Sequence, residues 1–192
     1  MKHCSKVGII EWQFFYFEYE QRNKNNQCSK RNMAKGTRSL IGEVAPDFSL
    51  EESTGNLVRL SDFDGSWKVV FFYSVNGAPT CKRGCLNFKE QYDLFKSVGC
   101  EIIGISQDPK NDHIEFKESL NLPYPVLGDP ERTVAKQFGV PLHLGQFPAK
   151  SSFVIGPDRT IHYVYDWLFR PRNHVAKILS ALSQVTEGGQ FE

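Results

Sequence analysis

From Ile41 onward the chain alternates apolar runs with turn signals. Val69 to Tyr73 (VVFFY) and Glu101 to Ser106 (EIIGIS) are apolar stretches of strand length bounded by polar loops, as expected of strands buried on both faces. Between them Leu86, Phe88, Tyr92, Leu94, Phe95 and Val98 fall at helical spacing, which predicts a helix over 82–98 lying on a sheet and ended by Gly99. A short strand is expected at 57–60 (LVRL), a helix over 113–120, a strand over 125–127 and a helix over 131–138 stopped by Gly139. SFVI at 152–155 and TIHYVY at 160–165, joined by GPDR, read as a β-hairpin, and a final helix is expected over 174–182. The order β-α-β-α-β-α-β-β-α predicts an α/β fold, a mixed central sheet with helices on both faces.

The first 32 residues do not follow this pattern. Their aromatics lack periodicity and give way to a run rich in Asn, Lys, Arg and Gln. The apolar stretch from Val7 to Phe17 is interrupted by Glu11 and Gln13, so it is too short and broken to span a bilayer and too acidic for a signal-peptide core. Glu11, Glu18 and Glu20 also argue against an acid-poor transit peptide. Met33 opens a stretch that runs straight into ordered-looking sequence, and it is an alternative start. The expected organisation is an N-terminal tail over 1–40, a domain over 41–186 and a short C-terminal tail over 187–192. The N-terminal tail is read as a disordered extension, a targeting extension or sequence upstream of the true start. A shortened chain that begins at Met33 is expected to keep its stability.

Composition narrows the function classes. With 192 residues the chain holds one domain and a tail, and 23 Lys plus Arg against 22 Asp plus Glu leave a formal charge of +1. That balance supplies no general field for nucleic acid or an anionic membrane, so neither is expected as a partner. Five cysteines are too few for a disulfide scaffold and odd in number, which favours a reducing compartment.

One cluster carries chemistry, APTCKRGC at 78–85. Cys81 follows a strand-to-helix connection at the C-terminal end of a central strand, where α/β sheets place their ligand crevices. The first turn of a helix offers unpaired N–H groups and the positive end of the dipole, and Lys82 and Arg83 add charge, a setting that favours a thiolate. Cys85 stands one turn further on, with Cα atoms ~6 Å apart if both are helical, within disulfide range. Helical Cβ vectors point apart, so closing that bond should unwind the turn. The pair could instead bind a metal, but two thiols are half a zinc site and no partner motif exists. His113, His143, His162 and His174 are scattered singly and read as surface or structural residues, Cys100 as core, and Cys4 and Cys28 as bystanders in the tail.

VAPDFSL, LSDFDGSWKVVFFY and a helix start carrying Pro79 and Cys81 resemble the peroxiredoxins of the AhpC/TSA class. The stretch GISQDPKNDHIEFKESLNLPYPVLGDPERTVAKQFGV resembles their Q-type, bacterioferritin-comigratory branch. The resemblance covers about residues 41–182. It implies a thioredoxin-like fold and a thiol peroxidase in which Cys81 is the peroxidatic cysteine, attacking the peroxide O–O bond and becoming a sulfenic acid. Many Q-type members carry a resolving cysteine five residues later. Here Cys85 stands four later and is the candidate for that role with a shifted helix geometry. The family motif is Pro-x-x-x-Thr/Ser-x-x-Cys with an Arg from a later strand, and the chain has Ser74, Ala78 and Lys150 at those places, with Gly84 where an acid is often found. Lys150 keeps the charge but not the planar fork, and Ala78 offers neither donor nor acceptor.

The resemblance further implies peroxide as substrate, thioredoxin or a similar thiol as reductant, a monomer, and no cofactor or metal. The compartment is read as cytoplasmic, or an organelle such as a plastid if residues 1–32 are a targeting extension. Two other readings compete on the same fold. One is a thiol-disulfide oxidoreductase or redox sensor with little peroxidase activity. The other is a copper-binding module like the chaperones of cytochrome oxidase assembly, against which Ala149 and Lys150 stand where that family supplies a histidine.

Overall fold

A computed structural model describes residues 37, 40–52, 54–143, 147–166 and 171–187. The expectations for residues 1–32, for Met33 and for the C-terminal residues 188–192 lie outside them. In chain order the elements are β1 (Ser49–Glu51), β2 (Leu57–Arg59), β3 (Trp67–Phe72), α1 (Pro79–Glu90), α2 (Tyr92–Ser97), β4 (Cys100–Ser106), α3 (Lys110–Leu120), β5 (Val126–Gly128) and α4 (Thr133–Gln137). There follow β6 (Leu142–His143), β7 (Phe147–Pro148), β8 (Ser151–Ile155), β9 (Ile161–Asp166) and α5 (Pro171–Glu187).

The central sheet has five strands in the order β5-β4-β3-β8-β9. Strands β3, β4 and β5 are parallel, while β8 pairs antiparallel with β3 and β9 with β8. Alternation along the central strands explains why two cores form. Val69, Phe71 and Tyr73 face one core, with Phe88, Phe95, Phe116, Ile178 and Leu182 from α1, α2, α3 and α5. Val70 and Phe72 face the other, with Val134, Ala135 and Phe138 around α4 and Leu60 from a 3-10 turn over Leu60–Phe63. The mixed sheet with helices on both faces is the one the sequence predicts.

Differences lie in boundaries and in short elements. The helix expected over 82–98 is two helices, broken at Gln91 (φ −109°, ψ 11°), yet Phe95 of the second still reaches the core and packs 5.8 Å from Phe88. The helix expected from 131 starts at Thr133, because Arg132 adopts a left-handed φ of 57° that an α-helix cannot contain. Leu60 leaves the strand expected at 57–60 for the 3-10 turn. Strands β1, β6 and β7 are two or three residues long, below any readable alternation. Thr37, inside the segment assigned to the tail, is buried, and its hydroxyl donates to Asp166. Backbone bonds from Gly42 and Ala45 to Ile161 and Arg159 fasten the following segment beside β9.

Candidate active site

Loop 73–78 leaves the C-terminal end of β3 and delivers the chain to α1. Asn76 fixes that loop from several directions. Its backbone N–H donates to Asp108 at 2.7 Å, its Oδ1 accepts from the Tyr73 hydroxyl at 2.8 Å, and its Nδ2 lies 3.2 Å from His113 Nδ1. An amide nitrogen has only protons to give, so His113 Nδ1 accepts and the proton sits on Nε2, facing Ser106 Oγ at 3.4 Å. Ser106 in turn donates to Asp108 at 2.7 Å.

Helix α1 opens with Ala78 as N-cap and Pro79 in the first turn, where its missing N–H costs nothing. Cys81 is the third helical residue, as the sequence expects, and its N–H donates to the Ala78 carbonyl at 3.0 Å. Residues 81, 85 and 88 share the face that packs on the sheet, and both cysteine side chains are fully buried, whereas Lys82, Arg83 and Thr80 are exposed. Cys81, Cys85 and Cys100 are all free thiols. Burial first, and then the neighbouring Cys81, pushes the Cys85 thiol far above its ordinary range, so within the folded helix it is neutral. Burial pushes Cys100 up to about 12, in keeping with a core position on β4.

Topology, rather than sequence proximity, brings in Lys150. Strand β8 runs antiparallel to β3 with Ser151 opposite Phe72, so the residue just before β8 falls beside the end of β3 where the cysteine helix begins. Lys150 is 5 % exposed and its Nζ donates to Thr80 Oγ1, the hydroxyl one residue ahead of Cys81. Its charge also lowers the pKa of Cys85, against the larger effect of burial. The three site residues of the sequence reading thus converge. Thr80 was missed; the visible signal was a hydroxyl two places beyond the family's Thr position, now occupied by Ala78.

Among the described residues the histidines are not gathered into a site. His113 and His174 are buried, His162 is exposed and packs on Trp67, and His143 has no described side chain. Among the described residues no cluster of three or more His, Cys, Asp or Glu could hold a metal, and no helix is long and apolar enough to cross a membrane.

Residues 41–164 match the AhpC/TSA family. A chloroplastic peroxiredoxin Q of Oryza sativa subsp. japonica is 36 % identical over 145 residues, 75 % of this chain and 67 % of that one. The chloroplastic peroxiredoxin Q of Arabidopsis thaliana is 34 % identical over 142 residues, 73 % of this chain and 66 % of that one. Among solved structures, peroxidoxin BcpB of Mycobacterium tuberculosis superposes with a TM-score of 0.70 at 33 % identity, covering 76 % of this chain and 97 % of that one. A peroxiredoxin Q mutant of Xanthomonas campestris gives 0.66 at 23 % identity, covering 71 % and 90 %, a likeness of fold.

Proposed function

For a chain that belongs to the AhpC/TSA family, we propose that Cys81 is the peroxidatic thiol, Cys85 its resolving partner, and Lys150 with Thr80 the pair that polarises the peroxide. The protein is a thiol-dependent peroxidase, a peroxiredoxin with a thioredoxin-like fold, and it takes a peroxide and a thiol reductant as its substrates. The observation that carries the residue assignment is the convergence of the buried Lys150 and the Thr80 hydroxyl on the first turn that holds Cys81.

In this reading the Cys81 thiolate attacks the terminal peroxide oxygen. An S–O bond forms, the O–O bond breaks, and the leaving oxygen departs as water or alcohol after taking a proton. Negative charge moves from sulfur to the leaving oxygen, toward the Lys150 ammonium and Thr80 hydroxyl, which are held in place before the reaction begins. The Cys85 thiol then attacks the Cys81 sulfur, the S–S bond forms, the S–O bond breaks and water leaves. Because Cys85 is buried and neutral in the intact helix, this second step needs the turn between the cysteines to open. Thioredoxin or a similar dithiol reduces the disulfide, and the protein works as a monomer.

Stopped-flow mixing of the reduced protein with hydrogen peroxide tests the assignment. Cys81→Ser should abolish the reaction, and Cys85→Ser should keep the first oxidation while leaving Cys81 open to over-oxidation. Peptide mapping after one equivalent of peroxide should give a Cys81–Cys85 bridge within a monomer. A Cys81–Cys100 bridge or a disulfide dimer would overturn the resolving role. Of the two compartments open to the sequence, the names of the plant relatives favour the plastid. A fluorescent fusion of residues 1–40 that stayed in the cytosol would return the chain to the cytoplasm.

A further inference from the structure

We propose that Tyr124 is a latch on Cys85, setting how readily the helix turn between the two cysteines opens, and hence whether oxidised Cys81 is resolved or over-oxidised. The proposal rests on Cys85 being the resolving thiol. Tyr124 lies 39 residues further along the chain, and its hydroxyl donates to the Cys85 carbonyl oxygen at 2.7 Å. That carbonyl lies within α1, so it receives the phenol in addition to its helical partner. Tyr124 is 2 % exposed, and its ring packs edge-on to Phe71 at 5.9 Å and against Tyr92 at 6.4 Å, so the hydroxyl has little freedom to leave.

The backbone is equally constrained. Tyr124 sits between Pro123 and Pro125, whose fixed φ angles reduce the conformations open to the segment. The Pro125 carbonyl accepts from Gly104 N at 3.0 Å, anchoring the segment on β4. One turn after Cys85, Lys89 Nζ donates to the Leu120 carbonyl at 2.7 Å, tying the later part of α1 to the same region of the fold. Opening is therefore directed to the first turns of α1, and the Tyr124 bond must break for Cys85 to reach Cys81. The phenol is held neutral, since burial and the adjacent Cys85 push its pKa well above 10. It therefore acts as a hydrogen-bond donor throughout the working pH range.

The covalent step itself is unchanged by the latch. Cys81 sulfenic acid and Cys85 thiol give the disulfide and water, and the oxidant is the peroxide already consumed. Only the population of the opened helix differs.

The test compares full-length wild type with Tyr124→Phe after mixing with hydrogen peroxide, by rapid alkylation quench and mass spectrometry. Losing one buried hydrogen bond should speed Cys81–Cys85 bridging by about fivefold. The sulfinic fraction of Cys81 at a fixed peroxide excess should fall in step, while the rate of the first oxidation stays unchanged. Equal bridging rates in the two proteins would overturn the latch and leave the resolving role of Cys85 intact. No Cys81–Cys85 bridge in wild type would overturn both. A second variant carries 3-fluorotyrosine at position 124, a stronger donor with the ring retained. It should bridge more slowly than wild type, and a faster rate would show that ring packing, not the hydrogen bond, controls opening.

Discussion

Acidifying the protein from about pH 7.5 to about pH 5 probes how its buried imidazoles are held. His113 and His174 are both 0 % exposed. Burial lowers the pKa of each, well below 6.5 for His174, while for His113 the neighbouring Asp108 pulls upward without cancelling the effect. The unfolded chain therefore takes up protons below its own pKa, near 6.5, that the native protein refuses. The stability these histidines confer is complete above that value and is lost as pH falls toward the folded pKa, by ~1.4 kcal/mol per pH unit per imidazole. Between ~6.5 and ~5 the ceiling is ~2 kcal/mol for each. His174 should come near it, being shifted furthest, and His113 should fall short of it. Protonating His113 would also place an N–H on Nδ1 against the Asn76 amide, which has no acceptor to offer on that nitrogen, and loosen the loop leading to Cys81. The assay is urea unfolding of wild type and His174→Gln, whose amide can still meet Ser152 Oγ, now 2.6 Å from His174 Nε2. The variant should be less stable than wild type near pH 7.5, with the gap shrinking by up to ~2 kcal/mol near pH 5. Comparing the two proteins cancels the titration of shared carboxylates. A gap that stays constant with pH would refute the reasoning.

Four further variants bear on the site and its support. Lys150→Met should slow peroxide oxidation of Cys81 by on the order of 10- to 100-fold, and an unchanged rate would remove Lys150 from the reaction. Lys150→Arg combined with Ala78→Thr should raise that rate by about tenfold if both groups serve the same transition-state charge. Ala78→Thr alone should stabilise the protein by ~1 kcal/mol, or ~2–4 °C in Tm, because the N-cap of α1 now makes no side-chain hydrogen bond. A melting curve that did not move would show that the hydroxyl misses the first-turn N–H groups. Gly104→Ala would set a Cβ 2.9 Å from Phe71 Cζ, whose ring stacks on Phe88 at 4.4 Å, so overpacking should cost ~1–3 kcal/mol in unfolding experiments.

Much of this protein is local in the sequence. Continuous apolar runs at 69–73 and 101–106 announce buried strands, and Gly99 and Gly139 end helices where left-handed φ angles of 67° and 61° are needed. The position of Cys81 in a helical first turn follows from the strand-loop-Pro pattern just before it. These features depend on neighbours a few residues away, and a period of 2 or 3.6 reports them directly. What the sequence left open depends on chain segments meeting across the sheet. Nothing near Lys150 says that it will touch Thr80; the antiparallel pairing of β8 with β3 decides it. Nothing near Tyr124 says that its hydroxyl will close on Cys85; that follows from where β5 and its preceding loop lie against α1. The left-handed Arg132 that delays α4 was equally hidden, since residues other than glycine enter that region only under local constraint. Periodicity fixes which face of an element is apolar. The partners that this face and its polar ends meet are set by strand order and register, which a single sequence does not display.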